Sequence, residues 1–375
     1  MNSASVSKKR LLFVIPSLVA GGAERVLIRL INHLDENKYD ILLAVFEDKM
    51  DCASDLKSTV KIVCLNKKRG RRDFFNLILR LRKAIVSFKP AAVVSFIAFT
   101  NIVTVIATLF PKKISRVIIS ERSYHRTYLP LSRLKHLRRT LMKVTYRKAD
   151  KIVTVSKSIK EALEQDFGIQ SQKIVCIYNP VPVEEIRDKS KDSVGHPLLT
   201  EKNKVIVAAG RLEHEKRFDR LLRMFSSIRE EHEDARLIIL GSGTLLKPLQ
   251  DLASQLNIGK WVDFVGYKSN PYAWISKADV FVLSSDREGL PNAILEAMAC
   301  GVPVVATDCL SGPSEIITHS INGLLVPPAD EQALAESVSR LLQDNALHQK
   351  LSQEGMKRAE DFVSENILPQ YEQLF

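Results

Sequence analysis

The chain reads as an α/β protein built from two doubly wound parallel sheets in succession. Three observations predict this. Short runs rich in Val, Ile and Leu alternate with helical patterns throughout, as in "KVIVAAG", "RFDRLLRMFSSIREE" and "ARLIILG". Continuous apolar strands separated by helices mean parallel βαβ units. The alternation restarts after "YNPVPVEEI" (178–186), where two prolines interrupt helix and strand alike. A chain of 375 residues also has room for two or three domains. The expected division is a Rossmann-like domain over 1–182, a second over 183–360, and a C-terminal helix over 361–375 that packs back on the first.

Taken in order, "LLFVIPS" is the first strand, and the amphipathic "AERVLIRLINHL" is the first helix. "DILLAVF" and "VKIVCL" are strands, "FFNLILRLRKAIVSF" a helix, "RVIIS" and "KIVTVS" strands, and "SIKEALEQDF" a helix. The stretch 91–110, "AAVVSFIAFTNIVTVIATLF", carries no charge and has the length of a membrane span. Its Ser and Thr residues and Asn101 favour a buried strand followed by a buried helix, with Thr100 or Asn101 as cap. In the second half the strands are "KVIVAAG", "ARLIILG", "VDFVG", "DVFVLSS", "VPVVATD" and "GLLVPP". The polar start "MNSASVSKKR" and the short apolar run after it read as a strand and not as a signal peptide.

Composition is that of a globular chain, 45% hydrophobic and 26% charged. The net charge of +12 is unevenly placed. Residues 1–190 hold 36 Lys and Arg against 17 Asp and Glu, and residues 191–375 hold 19 against 26. An anionic partner is therefore expected on the first domain, either a membrane surface or nucleic acid. The five cysteines are scattered without a C-x-x-C, so buried free thiols in a reducing compartment are expected.

Ligands of doubly wound sheets bind at the carboxyl ends of the strands. The first strand ends in "PSLVAGGAER", with Gly21 and Gly22 at the opening of a helix. Paired glycines there either let backbone N–H groups approach an anion or form a turn that needs positive φ. In "AAGRLEHEKRF", Arg211 and Lys216 place two cations before a helix, which suits a diphosphate or a solvated loop. "LGSG" with Gly241 is a further close-approach loop, and Tyr267 after Gly266 stands where backbone groups could read a base edge. The segment "DREGLPNAILEAMACG" follows the strand "DVFVLSS". Glu288 lies in its loop, Gly289 and Leu290 lead to Pro291 and Asn292 at the first helical turn, and Glu296 lies two turns on. Glu288 is placed to accept hydrogen bonds from ligand hydroxyls, or simply to complement a helix dipole.

Together, "GGAER", "GRL…EK", "LGSG", "GY" and the E-x7-E segment "EGLPNAILEAMACGVPVVAT" resemble the retaining glycosyltransferases of family 4, with the GT-B fold. The resemblance spans nearly the whole chain. It implies a nucleotide-sugar donor, UDP-sugar by family habit, held mainly by the C-terminal domain. Arg211 and Lys216 would carry the diphosphate, Glu288 the sugar hydroxyls and Glu296 the ribose. The Gly21–Gly22 loop would close on the phosphates from the other domain. The acceptor hydroxyl attacks the face that the diphosphate leaves, so no protein nucleophile is implied. D-x-D, the metal motif of GT-A enzymes, is absent, so no metal and no further cofactor are expected.

The chain departs from the family pattern in two places. Many members place His directly after the strand equivalent to "RVIIS"; here the segment is "SERSYHR", closer to a subgroup extending bacterial lipid-linked oligosaccharides. Either Glu121 or His125 would face the acceptor. Arg217 stands where the family usually has Gly.

"PLSRLKHLRRTLMKVTYRKAD" (130–150) spaces Leu134, Leu137, Leu141 and Val144 helically, with Lys135, Arg138, Arg139, Lys143 and Arg147 between them. With "KKRGRR" (67–72) this suggests that the region 130–148 lies on an anionic membrane and meets a lipid-linked acceptor. The alternative is an apolar stripe packed on the sheet beneath solvated charges. No RNA-binding module interleaves aromatic and basic residues here, which argues against nucleic acid. The expected place is the cytoplasmic face of the cell membrane. A UDP-sugar 2-epimerase, a soluble polymer synthase or a non-enzymatic basic scaffold are the other readings.

Overall fold

The computed structural model describes residues 8–19, 21–68, 71–109 and 112–375. The chain divides into two compact units: residues 1–180 with 365–375, and residues 181–364.

The first unit runs β1 (Lys9–Ile15), α1 (Gly22–His33), β2 (Tyr39–Val45), β3 (Lys61–Cys64), α2 (Arg71–Phe88), β4 (Ala92–Phe96), α3 (Ala98–Leu109) and β5 (Arg116–Glu121). It continues with α4 (His125–Tyr128), α5 (Lys135–Lys148), β6 (Lys151–Thr154), α6 (Lys157–Phe167) and β7 (Ile174–Cys176). The second unit runs α7 (Val183–Ser190), β8 (Lys204–Ala209), α8 (Phe218–Glu231), β9 (Ala235–Leu240), α9 (Leu246–Gln255), β10 (Val262–Gly266), α10 (Tyr272–Ile275) and β11 (Val280–Leu283). Then come α11 (Asn292–Ala299), β12 (Val304–Thr307), α12 (Pro313–Ile316), β13 (Leu324–Val326), α13 (Glu331–Gln343), α14 (Asn345–Glu360) and α15 (Ser364–Glu372). All but the first residue of α15 lie in the first unit.

Each unit holds one parallel sheet. The first is ordered β3-β2-β1-β4-β5-β6-β7, and the second β10-β9-β8-β11-β12-β13. Both strand orders reverse once, between β1 and β4 and between β8 and β11. Those are the switch points where doubly wound sheets open a crevice. Alternation along β1 shows how the strands are buried on both faces. Leu11, Phe13 and Ile15 pack on α1 and α15, whereas Leu12 and Val14 pack on α2 and α3. In the second unit Ile206, Leu237 and Ile239 pack on Leu221, Leu222 and Phe225 of α8 and on Val338 of α13.

Helix boundaries follow capping chemistry. The Ser156 hydroxyl accepts from the Ile159 N–H, and Asp330 and Asp344 carboxylates accept from Ala333 and Leu347. Gly168 ends α6 in the left-handed region at φ 59°.

The uncharged stretch 91–110 is the strand β4 and the helix α3, and no helix among the described residues is long and apolar enough to cross a membrane. The expected caps do not hold. Thr100 and Asn101 lie inside α3, which starts at Ala98. Asn101 instead accepts from the Ser95 hydroxyl at 2.8 Å and donates to the Ser120 carbonyl at 2.9 Å, fastening α3 to β4 and β5. The five cysteines are free thiols, with burial pushing Cys300 and Cys309 up to about 12.

Candidate active site

The second unit brings Arg211, Lys216, Glu288 and residues 289–292 to one switch point. After β8 the chain forms a short turn, His214–Lys216, before α8. After β11 it forms the loop 284–291 before α11. Because β8 and β11 are neighbours, these loops face each other at the carboxyl ends of the strands. Lys216 Nζ donates to Glu288 Oε1 at 2.5 Å. Glu288 therefore has one carboxylate oxygen engaged by a cation and is not wholly open to hydroxyls, as its loop position had suggested. Further bonds join the two loops. Ser284 Oγ donates to the Lys216 carbonyl at 2.9 Å, and the Asp286 N–H to the Glu215 carbonyl at 2.9 Å. Arg211 is the more exposed cation and pairs with Glu215 at 3.0 Å.

Arg217 explains its own departure from the family. It caps α8 in the left-handed region, at φ 51° and ψ 42°, where glycine carries no Cβ penalty. Its guanidinium bonds Asp219 and Asp286 at 2.8–2.9 Å, and these carboxylates hold the arginine above its ordinary range.

The remaining predicted residues of this unit occupy neighbouring strand ends and α11. Gly241, at φ 126°, leaves β9 so close to Gly210 that a Cβ would lie 1.9 Å from the Gly210 carbonyl oxygen. Its close approach is therefore to another backbone loop of the site. Gly266 at φ 75° has open space where a Cβ would lie, and Tyr267 beside it is 52% exposed. Gly289 and the buried Leu290 lead to Pro291, which caps α11, and Asn292 is that helix's first residue. Glu296 is buried in α11, 8% exposed.

In the first unit, Gly21 precedes α1 with φ −108°, so neither glycine of the pair makes a left-handed turn; the Glu24 carboxylate fills the space beside Gly21. Ile97, missed by sequence reasoning, leaves β4 at the switch point with φ 76°. A β-branched residue there stores about 1–3 kcal/mol of strain.

Glu121 and His125 are both buried and go to different partners. Glu121 ends β5. Its Oε2 accepts from the Tyr146 hydroxyl of α5, and its Oε1 accepts from the Ser123 N–H at 3.3 Å. Burial raises this carboxyl to about 7 against those hydrogen bonds. His125 Nε2 lies 2.7 Å from Asp166, and the ring packs on Phe167. Burial pulls the imidazole below its ordinary range, while Arg126 and His125 hold Asp166 at about 2. Arg122 turns the opposite way, donating to Asn179 Oδ1 at 2.6 Å and to the Tyr371 hydroxyl at 3.3 Å.

The alternative of an apolar stripe of α5 packed on the sheet is not what the structure shows. Met142, Thr145 and Tyr146 are the buried residues of α5, which packs on α3. Leu134, Leu137 and Val144 are half exposed or more, among exposed Lys135, Arg138, Arg139 and Lys143. Phe75, Leu79 and Val86 of α2, which packs on the same α3, are exposed too. Of the basic cluster 67–72, Arg69 and Gly70 and the side chains of Arg71 and Arg72 lie outside the described residues.

Comparison with known proteins agrees with this architecture. The model described as Glycosyltransferase Family 4 matches residues 20–185, and that described as Glycosyl transferases group 1 matches residues 190–358. A Campylobacter jejuni N-acetylgalactosamine-N,N'-diacetylbacillosaminyl-diphospho-undecaprenol 4-alpha-N-acetylgalactosaminyltransferase is 28% identical over 361 residues, covering 93% of this chain and 94% of the relative. A second C. jejuni enzyme, an alpha-1,4-N-acetyl-D-galactosaminyltransferase acting on a diNAcBac-PP-undecaprenol-linked glycan, is 28% identical over 95% of both chains. Among solved structures, sucrose-phosphate synthase from Thermosynechococcus elongatus superposes with a TM-score of 0.82 at 18% identity over 98% of both chains. Anabaena HepE in complex with UDP and glucose gives 0.81 at 18% identity, over 98% of this chain and 99% of that one. With the two models matching its two halves in turn, the chain belongs to the GT-B glycosyltransferases, a family 4 member with a group 1 C-terminal half.

Proposed function

We propose that this glycosyltransferase moves one sugar from a UDP-sugar to a lipid-linked or lipopolysaccharide- or capsule-type glycan, with retention of anomeric configuration. The Lys216–Glu288 ion pair at 2.5 Å carries the reading. It joins, at one switch point, a cation suited to a diphosphate and a carboxylate suited to sugar hydroxyls. The similarity to a UDP-bound neighbour and to two enzymes acting on undecaprenyl-diphosphate glycans supports the donor and acceptor classes.

In this reading the second unit holds the donor. Arg211 and Lys216 neutralise the diphosphate as it departs, where preorganised cations are most effective. Glu288 fixes the sugar hydroxyls, Glu296 the ribose, and Tyr267 with Gly241 and residues 289–292 borders the nucleotide. The acceptor hydroxyl oxygen bonds to the anomeric carbon on the face from which the diphosphate leaves. The bond from that carbon to the β-phosphate oxygen breaks, and the hydroxyl proton passes to the leaving phosphate. No metal or protein nucleophile takes part. Glu121 accepts a hydrogen bond from the acceptor, and His125 braces α4 through Asp166.

The first unit takes the lipid-linked substrate at the cytoplasmic face of the membrane. The outward Leu134, Leu137 and Val144, flanked by cations, suit an anionic bilayer surface. A screen of UDP- and GDP-sugars, reading nucleoside diphosphate release with undecaprenyl-diphosphate-linked acceptors, tests the proposal. Release from a UDP-N-acetylhexosamine or UDP-hexose is expected. Absence of release and of calorimetric UDP binding would overturn it.

A further inference from the structure

Glu121 is gripped unequally. The Tyr146 hydroxyl donates to Oε2, whereas Oε1 accepts a 3.3 Å bond from the N–H of Ser123, an exposed loop residue, and the Arg122 N–H also donates to the carboxylate. Tyr146 is itself held. It is fully buried in α5, and Asn101 Nδ2 donates to its oxygen at 3.3 Å. Asn101 is fixed in turn by the Ser95 hydroxyl and the Ser120 carbonyl. A relay of four side chains, Ser95, Asn101, Tyr146 and Glu121, thus runs from β4 through α3 and α5 to the end of β5.

We propose that Tyr146 is a positioning residue for sugar transfer: it pins one oxygen of Glu121 and leaves the other for an acceptor hydroxyl to take over from the Ser123 N–H. This rests on the reading of Glu121 as the group that meets the acceptor. The hydroxyl of Tyr146 also favours the ionised carboxylate, the form that can accept, against a burial that disfavours it. The other titratable groups facing Glu121 are the Arg122 guanidinium, which favours its charge, and Tyr128 of α4, whose phenol burial and the Glu121 charge keep neutral. Glu24 and Tyr371 act on Arg122 from α1 and α15. Tyr146 is thus the ring that both touches Glu121 and can be altered by one atom.

Tyr146→Phe removes that atom and keeps the ring. Transfer from UDP-N-acetylgalactosamine to an undecaprenyl-diphosphate-linked N-acetylgalactosaminyl acceptor is followed against pH in the full chain, with circular dichroism and thermal unfolding as fold controls. The acid limb of kcat/KM for the acceptor is expected to move up by about one to two pH units, the value of one hydrogen bond to a charged group. Donor KM stays constant. On a Glu121→Gln background, Tyr146→Phe adds no further loss. A uniform loss at all pH values with the limb in place means a structural role and overturns the proposal while Glu121→Gln is impaired. If Glu121→Gln retains full transfer, the acceptor reading has failed and takes the proposal with it.

Discussion

Lys216 and Glu288, 72 positions apart, form a 2.5 Å ion pair that bridges the loops after β8 and β11. Both side chains are largely buried, so each charge depends on the other for compensation. Glu288→Gln keeps an oxygen that can accept from Lys216 but loses the charge. A cost of about 1–2 kcal/mol in stability is expected, a shift of a few degrees in Tm. On the proposed reading of Glu288 as the group that holds the sugar hydroxyls, turnover should fall about 100-fold, because its charge-assisted hydrogen bonds to them weaken in the transition state. Glu296→Gln should chiefly raise the donor Kd, by about 10-fold, with kcat less affected. Calorimetric UDP binding beside steady-state kinetics separates the two. Variants that merely unfold would return both glutamates to the role of helix-end carboxylates.

Arg217 offers a test of backbone strain that is independent of chemistry. Its φ of 51° costs any residue with a Cβ about 1–2 kcal/mol. Its bonds to Asp219 and Asp286 offset that cost. Arg217→Ala loses the bonds and keeps the strain; Arg217→Gly loses both. Chemical denaturation should therefore find the glycine variant more stable than the alanine variant by about 1 kcal/mol. Equal stabilities would mean that the turn relaxes without glycine.

Much of this arrangement was legible in the sequence. Parallel strands buried on both faces read as continuous apolar runs, so "KVIVAA" and "ARLIIL" declared themselves as strands. The face on which α5 packs was not legible. Leu134, Leu137, Leu141 and Val144 have core-like helical spacing, but so do Met142, Thr145 and Tyr146 on the other side. Tertiary contact with α3 selects the second set. The Glu121–Tyr146 bond was equally hidden, since no local rule joins residues 25 apart. Arg217 could have been suspected, because a glycine habit at one position signals positive φ.

The outward face of α5 makes the membrane reading quantitative. Each exposed cation near anionic lipid contributes about 1 kcal/mol, so reversing Arg138, Arg139 and Lys143 to Glu removes at least about 3 kcal/mol, over 100-fold in partitioning. Leu134→Ser with Leu137→Ser should weaken binding further by removing the apolar contact. Sedimentation with vesicles containing phosphatidylglycerol, at two salt concentrations, reads both effects. Binding should fall as salt rises. If wild-type protein sediments equally with neutral phosphatidylcholine vesicles, charge plays no part and the reading is wrong.

Glu121 also predicts how stability depends on pH. Burial raises its carboxyl to about 7 in the folded chain, above the ordinary value of 4.5. Between those values the folded state holds a proton that the unfolded state has released. Stability therefore falls as pH rises through this window, by up to about 1.4 kcal/mol per unit, and levels off above pH 7. Glu121→Gln has no proton to lose and still accepts the Tyr146 hydroxyl through its amide oxygen. Urea unfolding at pH 5, 6, 7 and 8 should show the wild type losing stability relative to the glutamine variant up to pH 7, with the two curves parallel beyond. Parallel curves from pH 5 onward would place Glu121 in the ordinary carboxylate range.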